Sequence, residues 1–280
     1  MDIRIGMNML LWGTRITPQH IPVFEALARA GYDGVEIPVG AQSRADLKSM
    51  ASACDELGLA RTAVAFVNED VNPVSPDARV RSAAVDNLKQ SIDNARLIGA
   101  DILVGALYQA HKYFTGCGPT EQEWQWSADY LRACGEYAAS CDVALGLEFL
   151  NRFEAFLINT SEQCQRMVRK VGLANVGVHY DTHHAHIEER SVRAALLGVR
   201  AELNHVHLSE SHRGTLGTGQ VNWDNTFAAL KEIDYRGWLV IEAFGTVDPT
   251  LATAANIWRD NFASPEEVYQ EGIRFIRQRL

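Results

Sequence analysis

The stretch Ala144-Leu-Gly-Leu-Glu148-Phe-Leu-Asn-Arg-Phe-Glu154 decides the fold. Val143 to Leu147 is a short apolar run, which reads as a parallel strand buried on both faces. It stops at a carboxylate, Glu148, and Asn151, Arg152 and Glu154 follow before the next helical pattern. Charge is costly inside a sheet but tolerated at its rim, where water, a metal or a substrate can meet it. The same pattern returns three times downstream. Val176-Gly-Val-His-Tyr-Asp181 closes on Asp181, the apolar strand around His205-Val-His207 ends near His207, and Trp238-Leu-Val-Ile-Glu242 closes on Glu242.

Upstream, the apolar segments at 3–8, 34–37, 61–66 and 102–105 read as four more strands. Helical patterns separate them. Thr17-Pro18 opens one that runs to Ala30, and Ser43 caps another that runs to Leu57. Ser75-Pro76 opens a long one ending near Gly99. Thr120 to Glu123 and Thr160 to Gln163 have the spacing of capping boxes and start the helices before and after the 144–154 stretch. Residues 193–201 and 223–233 are helical, and Ser264-Pro265 opens a closing amphipathic helix. Strands alternating with helices imply a parallel sheet with right-handed crossovers. Eight such units in 280 residues match a (β/α)8 TIM barrel, read as one catalytic domain over residues 1–280. The alternative is a doubly wound open sheet. Against it, the first strand is not followed by the Gly-x-Gly-x-x-Gly turn of a nucleotide-binding sheet.

Composition narrows the function. Hydrophobic residues make up 47% of the chain, enough for a sizeable core. A net charge of −9 argues against a nucleic-acid partner, which needs a basic stripe. No apolar window is long enough to span a bilayer, and Met1 to Gly6 lacks a signal pattern. The five cysteines form no Cys-x-x-Cys pair and read as reduced, mostly packed thiols of a cytoplasmic protein.

In a barrel, the strand C-termini open on one face, so Glu148, Asp181, His207 and Glu242 would converge from strands five to eight. Three carboxylates and one imidazole suit a divalent cation, with manganese, magnesium and cobalt ahead of zinc because oxygen donors dominate. Without a cation, three clustered negative charges would repel strongly. Strand parity points His179 and His205 inward one layer below, in a core or supporting role. His184 is placed to turn back over the pocket. The loop holding Arg213, Gly214, Gly217 and Gly219 could cradle a phosphate, or be a plain flexible connection. Trp12, Phe66, Tyr108 and Phe153 sit at or past strand ends and are candidate pocket walls.

The motifs Glu148-x-x-Asn-Arg-Phe-Glu154, Asp181-Thr-x-His184, His205-x-His207-Leu-x-Glu210-x-x-Arg213 and Ile241-Glu242 resemble the sugar isomerase/epimerase barrels. Within them the chain is similar to the ketose 3-epimerases acting on D-tagatose, D-allulose (D-psicose) and L-ribulose. The resemblance implies a manganese or cobalt ion held by Glu148, Asp181, His207 and Glu242. It implies that Glu148 and Glu242 are the acid/base pair and that Glu154, His184 and Arg213 bind the sugar. It further implies no organic cofactor, a small-molecule ketose as partner, and a homodimer or homotetramer. The family usually has phenylalanine where this chain has His183. The implied reaction is C3 epimerisation of free ketoses, since no lysine joins Arg213 near the glycine-rich loop. The rivals are an aldose–ketose isomerase of the hydroxypyruvate isomerase kind, a zinc-dependent DNA-repair nuclease of similar fold, and a silent sugar-binding or metal-storage barrel. The acidic charge opposes the nuclease.

Overall fold

A parallel strand has N–H and C=O groups to satisfy on both edges, and eight strands in a ring leave no edge unpaired. The computed structural model, which describes residues 3–40 and 42–280, contains such a ring. Its strands are β1 (Ile3–Asn8), β2 (Gly34–Pro38), β3 (Ala60–Val64), β4 (Ile102–Gly105), β5 (Ala144–Glu148), β6 (Val176–Asp181), β7 (Leu203–Ser209) and β8 (Gly237–Glu242). They pair in chain order, all parallel, and β8 closes on β1 through registers such as Ile5 with Leu239. The chain is a (β/α)8 TIM barrel.

The helices are α1 (Ile21–Ala30), α2 (Arg44–Leu57), α3 (Ala78–Leu97), α4 (Glu121–Ser140), α5 (Ser161–Val171), α6 (Thr182–Glu188), α7 (Val192–Val199), α8 (Trp223–Glu232), α9 (Pro249–Ala255) and α10 (Pro265–Arg277). Their starts follow local chemistry. The Thr120 hydroxyl accepts from the Glu123 N–H at 3.2 Å, while Glu123 Oε2 accepts from the Thr120 N–H at 2.7 Å. Thr160 and Gln163 repeat the arrangement at α5. Ser43 and Ser264 cap α2 and α10. Each such cap satisfies orphan N–H groups and contributes about 1 kcal/mol.

Four local expectations change. Ser75 does not cap α3, because its Oγ accepts from the Asp77 N–H in a turn; Asp77 caps instead, and the helix starts at Ala78. Pro18–His20 forms a separate 3-10 turn ahead of α1. The third strand ends at Val64, and Phe66 turns out to the rim. There Gly105 has φ +133 and lies so near the Ala65 carbonyl that a Cβ would clash with backbone. Finally, α6 and α9 are seven-residue helices with too few turns for a legible apolar stripe. Asp181, the last residue of β6, caps α6 by accepting from the His183 and His184 N–H groups.

The main apolar core lies between strands and helices and includes Phe24, Leu47, Leu88, Leu131, Leu196 and Ile276. Cys54, Cys134, Cys141 and Cys164 are buried and Cys117 is exposed; all five are free thiols. No helix among the described residues is long and apolar enough to cross a membrane. The inside of the ring differs from an ordinary aliphatic barrel core. Asn8, Glu36, Thr62, His179, His205 and His207 are buried polar groups on its strands. Buried polar groups need partners; Asn8, Thr62, His205 and His207 gather around the Glu36 carboxylate directly beneath the barrel mouth, while neither nitrogen of His179 has a hydrogen-bond partner among the described residues.

Candidate active site

Glu148, Asp181, His207 and Glu242 come from β5, β6, β7 and β8, and all four side chains are buried. One donor atom from each lies within 4.8 Å of all the others. His207 Nδ1 is 3.4 Å from Glu242 Oε1, 3.8 Å from Asp181 Oδ2 and 3.9 Å from Glu148 Oε1. The register explains the convergence, since Asp181 sits beside His207 and Ser209 beside Glu242. The four residues expected to meet at the mouth therefore do meet.

The orientation of His207 is set from across the ring. Its Nε2 lies 2.6 Å from Glu36 Oε1 and donates to it. Asn8 Nδ2 donates to the same oxygen at 2.9 Å, and the Thr62 hydroxyl donates to Oε2 at 2.9 Å. His205 Nε2 lies 2.9 Å from Oε2. Burial would raise the Glu36 pKa, but His207 and His205 outweigh it and hold this carboxyl far below the usual range. A charged Glu36 keeps a proton on Nε2, so Nδ1 is the nitrogen turned toward the three carboxylates, and it can donate a lone pair once its own proton has left. That Nδ1 has no hydrogen-bond partner among the described residues. His179 packs edge-on against the His207 ring at 4.0 Å between centroids, and burial drives the pKa of both His179 and His205 down. Both are inward-facing and one layer lower, as parity implied.

The carboxylates crowd one another. Burial and Glu242 push Glu148 up, and burial pushes Asp181 up to about 6 despite Arg213. Burial would also raise Glu242, but His207 and Arg213 outweigh it and lower this group. Three carboxylate oxygens plus one partnerless imidazole nitrogen, within coordination reach of one centre, are a donor set that fits a hard-to-intermediate divalent cation.

Arg213, His184 and Glu154 stand on the pocket side of this cluster. Arg213 Nη1 donates to Glu242 Oε2 at 2.7 Å, Ser209 Oγ at 2.7 Å and Asp181 Oδ2 at 3.1 Å. Its guanidinium carbon lies 4.8 Å from the centre of the Phe244 ring. The backbone at Arg213 is left-handed, φ +62, a strained state for a side-chain-bearing residue and one found at functional sites. The Asn151 backbone N–H points at His184 Nδ1, 3.0 Å away. Burial and Arg213 keep the ring neutral. Arg213 Nη2 points an N–H at His184 Nε2, 3.0 Å away, and because a neutral imidazole accepts at one nitrogen only, the Asn151 and Arg213 N–H groups compete for its single lone pair. Glu154 is held by Asn151 Nδ2 on Oε1 at 2.8 Å and by His111 Nε2 on Oε2 at 3.0 Å.

A cavity of about 450 Å³ opens over these groups. Glu148, Glu154, His184, Arg213 and Glu242 line its floor, and Phe66, Phe244, Leu251 and Ala254 line its upper walls, the last two from α9. Of the four aromatic residues proposed as walls, only Phe66 lines it. Tyr108 is fully buried and donates to the Ile158 carbonyl. Trp12 packs on Tyr269, and Phe153 projects into solvent.

The glycine-rich loop after β7 is neither a phosphate cradle nor a plain connection. It wraps around the carboxylate of Glu210, which accepts from the N–H groups of Ser211, Gly217 and Val221 and from Trp223 Nε1. Those three loop N–H groups are therefore not free for an anion. Reading the chain alone gave no role to Glu36, Asn8, Asn151 or His111, although Asn151 stands inside a quoted motif and Glu36 ends the resembling stretch Gly31-Tyr-Asp-Gly-Val-Glu36. For Glu36 a signal existed: a carboxylate in the middle of the buried strand Gly34-Val-Glu-Ile37.

Residues 24–279 match the family described as xylose isomerase-like TIM barrel. A ketose 3-epimerase of Arthrobacter globiformis is 32% identical, covering 99% of this chain and 97% of its own. An L-ribulose 3-epimerase of Methylomonas sp. is 31% identical, covering 90% and 88%. The crystal structure of a D-allulose 3-epimerase from Methylomonas sp. in complex with D-allulose superposes with a TM-score of 0.94, at 28% identity and over 100% and 98% of the two chains. The chain belongs to the xylose isomerase-like TIM barrels. Within them it belongs with the ketose 3-epimerases, enzymes of the isomerase class.

Proposed function

We propose that residues 1–280 work as one catalytic barrel that inverts C3 of free ketoses of the L-ribulose, D-tagatose and D-fructose/D-allulose class. Glu148, Asp181, His207 and Glu242 would hold the divalent cation: manganese first, with cobalt or magnesium as substitutes. Such an ion would supply electrophilic pull on the substrate carbonyl and so acidify the C3 proton. No organic cofactor enters the scheme.

The observation that carries the reading is the placement of Glu148 and Glu242. They stand on strands three apart in the ring, β5 and β8, and both line the floor of one cavity. Inversion needs a proton taken from one face of C3 and returned to the other, and a carboxylate on each side does this. One glutamate removes the C3 proton, and the C–H electron pair moves into a C2–C3 double bond as the carbonyl π pair moves onto O2. The opposite glutamate then protonates C3 from the other face as the carbonyl re-forms. The two exchange roles when the substrate runs the other way. Arg213 and His184, which meet at the cavity floor, would hold the sugar oxygen on which charge develops. Glu154 accepts from a sugar hydroxyl. Free rather than phosphorylated sugars fit best, because Glu210 occupies the loop that an anion would use.

The test is a panel of free ketoses with manganese-loaded protein in heavy water. A product of inverted C3 configuration carrying one deuterium at C3 supports the reading. An aldehyde product would favour the aldose–ketose isomerase, and neither turnover nor exchange would favour a sugar-binding barrel. A cytoplasmic dimer or tetramer completes the proposal, and light scattering in solution tests the assembly.

A further inference from the structure

His111 lies in the loop between β4 and α4, outside every motif quoted above. Its Nε2 is 3.0 Å from Glu154 Oε2, and both side chains are largely buried at the cavity wall. A carboxylate offers only acceptors, so the Nε2–H must donate. The other oxygen of Glu154 is held by Asn151 Nδ2. The backbone doubles the tie: the Lys112 N–H donates to the Glu154 carbonyl at 2.8 Å, and the His111 N–H donates to the Val67 carbonyl at 2.9 Å. The His111 ring also lies against Phe66, 6.4 Å between centroids. One histidine thus joins the rim loops that follow β3, β4 and β5.

A glutamate on a loop would otherwise lose side-chain freedom only when substrate arrives, and that ordering would weaken binding. Clamped at both oxygens, Glu154 keeps free lone pairs in a fixed direction toward the cavity. We propose that His111 is a positioning residue for Glu154, and that it sets how tightly a ketose hydroxyl is held there. This rests on the epimerase reading of the site. Among the described residues His111 makes no hydrogen bond or ion pair with Glu148 or Glu242, so its effect falls on substrate binding and not on proton transfer.

The experiment compares wild type, His111→Ala, His111→Gln, Glu154→Ala and the double variant His111→Ala/Glu154→Ala, all manganese-loaded, on L-ribulose, with near-UV circular dichroism to confirm folding. His111→Ala is expected to raise KM about tenfold with kcat changed by less than about twofold, the size of one lost charge-assisted hydrogen bond. His111→Gln, which keeps a donor, recovers most of the loss. In the Glu154→Ala background, removing His111 adds nothing further, because the partner is already gone. An unchanged KM in His111→Ala overturns the inference. So does an equal loss with and without Glu154, or a fall confined to kcat. Wild type inert on every ketose would overturn the epimerase reading and this inference together. Active wild type with uncoupled variants overturns this inference alone.

Discussion

His207 Nε2 donates to Glu36 Oε1 over 2.6 Å, joining β7 to β2 across the inside of the barrel. The bond spends one imidazole nitrogen on a buried carboxylate and leaves the other aimed at Glu148, Asp181 and Glu242. A ligand histidine whose second nitrogen is held by a carboxylate has a fixed tautomer and a more basic free nitrogen.

Glu36→Gln should therefore weaken manganese binding by about 10- to 100-fold. The neutral amide no longer favours the Nε2 proton, and its NH2 meets the donors of Asn8, Thr62 or His205. Calorimetric titration of the metal-free variant measures the change, and unaltered affinity would remove Glu36 from the account.

Glu242→Gln and Glu148→Gln should each lower kcat by about 10²- to 10⁴-fold, the range for a lost general acid or base. The two should differ in hydrogen–deuterium exchange: a single remaining carboxylate can still exchange the C3 proton on its own face without inverting the carbon. Full turnover in Glu242→Gln would show that the acid/base assignment is wrong.

Arg213→Lys should not rescue what Arg213→Ala loses. The guanidinium reaches Asp181, Ser209 and Glu242 through Nη1 while Nη2 faces His184, and a single ammonium cannot repeat that fork. Both variants should raise KM for L-ribulose by about tenfold or more. Steady-state kinetics with each variant checks this.

Cation binding should weaken as pH falls. Asp181 is pushed up to about 6, and Glu148 and His207 also sit above their ordinary values. For the carboxylates burial is the cause; for His207 the neighbouring Glu36 and Glu242 overcome a burial that acts the other way. Protons on these groups must leave before the ion enters, so lower pH favours the protonated, metal-free form. Between about pH 7.5 and about pH 5.5, manganese affinity should drop by more than about tenfold, with protons released on binding. Titrations in buffers of different ionisation enthalpy count those protons.

Inorganic phosphate should not compete with ketose, because Glu210 already takes the N–H groups of its own loop. Glu210→Ala should leave those donors and Trp223 Nε1 without a partner and cost about 1–3 kcal/mol of stability for the buried ones. Inhibition assays and thermal unfolding of the variant check the two parts.

Much of this molecule was readable along the chain because its rules are local. Apolar runs closed by Glu148, Asp181 and Glu242, alternating with capped helices, specify eight β/α units and put ligand-type residues on neighbouring strand ends. Capping boxes at Thr120 and Thr160 are likewise local, since all their atoms lie within one turn. Other features depend on residues far apart in sequence. Glu36 meets His207 across 171 positions, and Arg213, with its left-handed backbone, meets Glu242 across 29. Glu210 fills its loop, Ser75 yields its cap to Asp77, and Phe153 points away from the pocket while Phe66 points in. Residue type and spacing determined which side chains reach the barrel mouth. Closure of the ring decided which of them touch, because a hydrogen bond depends on distance and direction in space, and neither is set by separation along the chain.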